Sequence, residues 1–229
     1  MMSFFSLVIE WLPQLLKGVL WTLRLMGLSF LVAAVLALPI ALARLSSRRY
    51  LRVIAQTYVE IIRGMPSLTL LFVIYFGLPS FGLTLHAMDA AVLGLGLNGA
   101  AYVSEIYRSG IQAIDSGQRE AAQMIGMRSN QILRYVVLPQ ALRVVLPPMG
   151  NFGISLLKDT SVASLISAPE LMMQAKDLTS EYYMPLEIYI VVGLMYLMMA
   201  LPLSYLVRIM ESHLSIQALD GRTLDHGKV

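Results

Sequence analysis

The chain has no cysteine, three histidines and few charges. Asp, Glu, Lys and Arg make up 14% of its 229 residues, against about 25% in an ordinary soluble domain. Without cysteine there can be no disulfide framework, thiolate metal site or cysteine nucleophile, and cysteine usage leaves the redox compartment undetermined. His86, His213 and His226 are scattered, with no metal-ligand spacing. A Walker A sequence is also missing. The Gly-Lys pair occurs only as Gly227-Lys228, followed by Val229 and lacking the earlier glycine, so this chain cannot hold ATP through a P-loop. There is no zincin motif, no Gly-x-Ser-x-Gly elbow and no histidine near a credible serine nucleophile. These absences point away from an enzyme and from a metal or cofactor bound by this chain.

What is present is apolar sequence. Hydrophobic residues reach 57% and the mean hydropathy is +0.69, which marks an integral membrane protein whose length is spent on helical spans of about 20 residues. Residues 25–43 and 188–207 carry no charge and read as spans, closed by Arg44 and Arg208. Three interior runs are less pure. Residues 54–76 contain Glu60 and Arg63, 88–107 contain Asp89 and Glu105, and 135–157 contain Pro139, Arg143 and the Pro147-Pro148 pair. Such residues are tolerated in a bundle interior or beside water, where freed polar groups find partners. The expected fold is therefore all-α, with five transmembrane helices over 20–43, 54–76, 88–107, 135–157 and 188–207. The middle three line a path, in one domain of 1–214 followed by a polar, disordered tail of 215–229.

Basic residues set the orientation. Arg44, Arg48, Arg49 and Arg52 follow the first span. Arg108, Arg119, Arg128, Arg134 and Arg143 lie between or near the ends of the third and fourth, and Arg208, Arg222 and Lys228 follow the fifth. Twelve of the 17 Lys and Arg residues thus fall on one side. The opposite loops, 77–87 and 158–187, hold only Lys158 and Lys176 against five acids. By the positive-inside rule the amino terminus lies outside and the carboxy terminus in the cytoplasm. The net charge of +3 is then spent beside the bilayer and implies no nucleic-acid partner. A cleaved signal peptide competes for the first span, but Glu10 lies upstream, the apolar run is long, and the arginines come after it.

The third span has small residues four apart at Ala90/Gly94, Gly96/Ala100 and Ala100/Ser104, a spacing that lets helix backbones approach closely in lipid. Gly94-x-Gly96-x-x-Gly99 in the same run matches the dinucleotide fingerprint in letters only, since no strand precedes it and its glycines sit mid-helix.

Loop 109–134 is the longest polar stretch with folding signals. Asp115 can cap a helix over 117–125 with Gln118 at its third position, and Gly126 suits the left-handed residue that ends it. Ser129 can cap a second helix over 130–138 that stops or kinks at Pro139. On composition this is a helix at the inner membrane surface. Its Glu120-Ala121-Ala122-x-x-x-Gly126, followed by Leu138-Pro139, resembles the EAA loop of ABC importer membrane subunits. In order, YVEIIRGMP at 58–66, AYVSEIYR at 101–108, LPQALRVVLPP at 138–148 and SLLKDTS at 155–161 resemble the polar amino acid permeases of the histidine, glutamine and glutamate/aspartate type. The likeness runs from the first span through Glu211, with Ser109 where a glycine is usual.

The resemblance implies a type I ABC importer permease of the bacterial inner membrane, with the loop as a coupling helix. Glu120, Ala121, Ala122 and Gly126 would dock in a groove of a separate ABC ATPase dimer, which carries ATP and magnesium. A second permease copy or paralogue and an extracytoplasmic amino-acid-binding protein complete the assembly.

Several polar residues are candidates for the path. Glu60 and Arg63, at i and i+3, can meet on one helix face; each charge costs about 2.5–3.5 kcal/mol against lipid, so they form either a buried structural pair or a substrate contact. Glu105 and Arg108 repeat that spacing near the inner interface and read as structural. Asn98 and Asn151 are explained by interhelical hydrogen bonds or by the path. Lys158 and Asp159 place opposite charges where the fourth span ends, either as an exposed pair worth about 0–1 kcal/mol or as partners for a zwitterion. An ion-driven secondary carrier or channel is the alternative to the importer, although no inverted repeat is visible; a membrane scaffold would not need intramembrane charges.

The layout is testable by single cysteines at Ser47, Gly82, Gln123 and Thr179, in a chain with none to remove. They are expected to label from inside, outside, inside and outside. Labelling of residue 123 from outside overturns it.

Overall fold

In lipid the backbone of an apolar run has only its own carbonyls to bond. A computed structural model of the chain describes residues 4–220, with side chains for 7–212, and among these residues every regular element is helical. The order is α1 (Phe4–Leu45), α2 (Arg49–Gly64), α3 (Ser67–Phe72), α4 (Ala87–Gln112), α5 (Ser116–Met124), α6 (Ser129–Gln131), α7 (Leu138–Asp159), α8 (Leu171–Tyr182) and α9 (Pro185–Asp220).

Among the described residues three stretches are long and apolar enough to cross a bilayer, Leu7–Leu45, Ser129–Ile166 and Pro185–Ser212, and α4, which holds the third expected span, is not one of them. They contain the first, fourth and fifth expected spans. The expected second span is not one rod. α2 stops at Gly64, Met65 and Pro66 are extended, and the chain restarts at Ser67 with a 105° bend, giving a fourth, broken candidate. A residue before proline is pushed out of the helical region, and proline has no N–H to continue the ladder. Pro139 has a milder effect. The six residues ahead of it, Ile132–Val137, form a π turn whose wider pitch relieves the ring's clash with the preceding turn, so helix runs on instead of stopping there.

α4 is the most enclosed helix. A Cβ on Gly96 would lie 2.5 Å from Val32 Cγ1 of α1, and one on Gly99 would lie 2.7 Å from Phe152 Cζ of α7 and 2.9 Å from Ala33 Cβ. The small-residue stripe is therefore the contact through which α4 meets α1 and α7. Its opposite face is left for side chains.

The end of the bundle at α8 is tied differently. α1 begins well before residue 20, and its early turns pack Trp11 and Leu15 against Leu171 and Ala175 of α8 and Ile188 and Val192 of α9. Glu170, one of the acids assigned to the outer loop, is fully buried. Its carboxylate accepts from the N–H groups of Met172 (2.9 Å) and Met173 (2.8 Å) at the start of α8, and from the Tyr196 hydroxyl of α9 (2.6 Å). Thr22 Oγ1 of α1 accepts from Leu171 N at 3.0 Å beside it. Burial raises the Glu170 carboxyl above the usual carboxylate range, against the lowering pull of Tyr196, the two backbone donors and Lys176. At the other end, α9 continues through Ile216 to Asp220 where a disordered tail was expected; the remainder of that tail, 221–229, lies outside the described residues.

Glu170→Ala removes a helix cap and the carboxylate bonded to the Tyr196 hydroxyl in the core, an expected loss of about 2–4 kcal/mol. Heat unfolding of the purified chain in detergent checks this. Gly193→Ala, whose added Cβ meets nothing within 4 Å, is expected to change stability by less than about 0.5 kcal/mol.

Candidate functional site

A cavity of about 840 Å³ lies between the α2–α3 bend, α4 and α7. Each element contributes one face. The bend contributes residues 63–67. On α4, Asn98, Tyr102 and Glu105 follow one another at helical spacing, and on α7 so do Pro148, Asn151, Ser155 and Asp159.

The charges in this cavity fall into two kinds. Glu105 is saturated. Arg44 of α1 and Arg108 of α4 both pair with it, and Arg108 also donates to Gln112 Oε1. Asn151 Nδ2 donates to Glu211 Oε1 of α9 at 3.2 Å. Arg63 and Asp159 take no part in these bonds. The Arg63 guanidinium stands 5.1 Å over the Tyr102 ring, a cation–π contact that orients it without neutralising it. Among the described residues, where the salt bridges are those of Glu105, Arg63 and Asp159 have no ion pair and the Asn98 amide has no hydrogen bond. A positive group, a negative group and an amide thus line one cavity.

Of the path residues expected from sequence, the structure brings together Arg63, Asn98 and Asp159 and leaves out Glu60 and Lys158. The expected Glu60–Arg63 pair does not form. Glu60 accepts from Gln56 Nε2 at 2.8 Å on the exposed face of α2, while Arg63, one residue from the helix end, turns to Tyr102. Lys158 and Asp159 diverge because neighbours on a helix point about 100° apart, and only Asp159 reaches the cavity. The interhelical bond offered to explain Asn98 is also absent. The Glu105–Arg108 pair does form, and Arg44, 61 residues away, joins it. Tyr102 and Ser155 were missed as lining residues, although their positions one turn from Asn98 and Asp159 carried the signal.

The loop helix matches its sequence signals closely. Asp115 Oδ1 accepts from Gly117 N at 2.7 Å. Gly126 has φ +82°, its N–H donates to Gln123 O (2.9 Å), and Met127 N donates to Ala122 O (3.1 Å), the paired closure of a Schellman motif. Ala122 is buried with Ile114, Ile132, Val137 and Ala141, whereas Glu120 and Ala121 face outward and Met124 is 89% exposed. Ser129 is not the next cap: Arg128 takes that position, its N–H donating to Gln131 Oε1 at 2.8 Å.

A helical membrane chain with a partly charged cavity behind a broken helix, and a rigidly capped helix displayed at one end, is built as a solute-transport subunit. The chain belongs to the family of binding-protein-dependent transport system inner membrane components, whose profile matches residues 31–216. It is 41% identical over 203 residues to the L-cystine transport system permease protein TcyB of Bacillus subtilis, covering 88% of this chain and 87% of that one. The nopaline transport system permease protein NocM of Agrobacterium fabrum is 40% identical over 216 residues, with 90% of each chain covered. A crystal structure of an amino acid ABC transporter with histidines matches at TM-score 0.88 and 38% identity, over 93% of this chain and 99% of that chain.

Proposed function

We propose that this chain is the membrane-spanning permease subunit of an ABC importer for a polar amino acid, working by alternating access driven by a separate ATPase. The observation that carries the reading is the pair of opposite charges, Arg63 and Asp159, that line one cavity with Asn98 and form no salt bridge among the described residues. An amino acid presents a carboxylate and an ammonium. Arg63 takes the carboxylate, in place of Lys158, and Asp159 takes the ammonium, with Asn98 completing the polar contacts. The relatives named for L-cystine and solved with histidines handle such zwitterions. Membership of a binding-protein-dependent family leaves the ion-driven carrier or channel without support.

In this reading α1, the bent α2–α3 pair, α4, the Ser129–Ile166 stretch and α9 make five spans, with the amino terminus outside and the carboxy terminus in the cytoplasm of a bacterial inner membrane. α5 is the coupling helix. Ala122 anchors it, Gly126 closes it, and Glu120 and Ala121 face an ABC ATPase dimer that carries ATP and magnesium. A second permease copy or paralogue completes the path, and an extracytoplasmic binding protein delivers substrate. Closure of the ATPases draws the coupling helices together, and the cavity's affinity for substrate differs between the two states, as coupling requires.

Asp159→Asn and Arg63→Gln are each expected to cut uptake at least tenfold, about 1.4 kcal/mol, at limiting substrate in vesicles reconstituted with the ATPase. Lys158→Met is expected to stay within about twofold, as for an exposed charge. Wild-type uptake in both cavity variants removes them from the site.

Gly126→Val places a β-branched residue at positive φ. It is expected to abolish uptake and substrate-stimulated ATP hydrolysis while the chain still inserts. Normal values of both sink the coupling role.

A further inference from the structure

A second cavity, of about 590 Å³, lies away from the substrate site, between the ends of α1 and α4, α5 and the π turn that leads into α7. Its polar lining is Ser46, Gln112, Arg119, Gln123 and Ser129, with no acidic residue. Arg119 stands out. Its Nη2 donates to Ile111 O at 2.8 Å, yet its Nε is buried with no hydrogen-bond partner, and no carboxylate pairs with it among the described residues. A buried unpaired donor on a cation costs about 1–3 kcal/mol or more, and an anion in the cavity offsets that cost. The remaining wall is apolar and continues the spans. Leu42 of α1 and Leu133 of the π turn line it and are 50% and 45% exposed.

We propose that this cavity binds the phosphodiester headgroup of an anionic phospholipid, with Arg119 as the phosphate contact and the Leu42–Leu133 wall against the acyl chains. A free phosphate would share the polar contacts but gain nothing from that wall. Basic pockets between membrane helices at the cytoplasmic side suit anionic headgroups. Arg119 and Gln123 lie one turn apart on α5, so an occupied cavity braces the coupling helix against the end of α1. The inference rests on the inner placement of α5 proposed above, which cysteine labelling at residue 47 tests separately.

The test is lipid retention, which needs no transport. The transporter, purified in mild detergent with its ATPase from membranes of phosphatidylethanolamine and phosphatidylglycerol, is analysed by native mass spectrometry. Phosphatidylglycerol is expected to be retained over phosphatidylethanolamine. Arg119→Gln is expected to lower its retention at least tenfold, about 1.4 kcal/mol. Ser129→Glu, which puts a negative charge into the cavity at a helix start where an acid is tolerated, is expected to do the same. Arg134→Gln, on a cation stacked 5.8 Å over Tyr135 and not lining the cavity, is expected to change nothing. Should Arg119→Gln fail to assemble, Ser129→Glu decides. Unchanged retention in Ser129→Glu, or an equal loss in Arg134→Gln, overturns the site. Displacement of the lipid by millimolar inorganic phosphate assigns the cavity to a soluble anion and overturns the lipid. Failure of the ATPase to co-purify speaks against the importer reading instead.

Discussion

The close approach of α4 to α1 is the contact on which the rest of the structure depends. In lipid no hydrophobic force drives two helices together, so association rests on how near their backbones come. At Gly96 and Gly99 there is no room for a Cβ beside Val32, Ala33 and Phe152. This uses the small face of α4 for packing and turns Asn98, Tyr102 and Glu105 to the other side. The cavity is the far side of a packing solution.

The interruptions of the helices complete it. The bend at Met65-Pro66 frees backbone groups that a lipid-facing helix could not leave unpaired, and it does so where they border the cavity. The π turn before Pro139 lets helix run from Ser129 to Asp159 without stopping, so that Ile132 and Val137, which pack on Ala122 of α5, share one continuous stretch with Asp159 of the cavity. Charge is sorted along the same route. Glu105 is paired with two arginines drawn from two helices, while Arg63 and Asp159 line the same cavity outside those pairs. At the α8 end Glu170 links α8 and α9 through backbone donors and a tyrosine, with Thr22 of α1 bonded to Leu171 beside it, a carboxylate used to hold helices together.

What could be read from sequence followed from range. The loop helix was legible because its signals are local: Asp115 bonds two residues ahead and Gly126 closes a turn of its own helix. The α4 stripe was legible because its spacing is a property of one helix. The Glu60–Arg63 pair failed by the same reasoning, since i,i+3 spacing permits a contact without choosing it over Tyr102, which arrives from 39 residues away. Arg44 with Glu105 could not be paired by any spacing rule.

The sequence by itself determined that the chain is apolar and helical, where its long runs lie, and how its loop helix begins and ends. Each of these depends on backbone chemistry or on a period of a few residues. Only the tertiary structure decided which polar residues share a space: that Arg63, Asn98 and Asp159 do, that Glu60 and Lys158 do not, and that Glu170 is buried. Those outcomes depend on the rotation of each helix about its own axis, and that rotation is set by the helix it packs against.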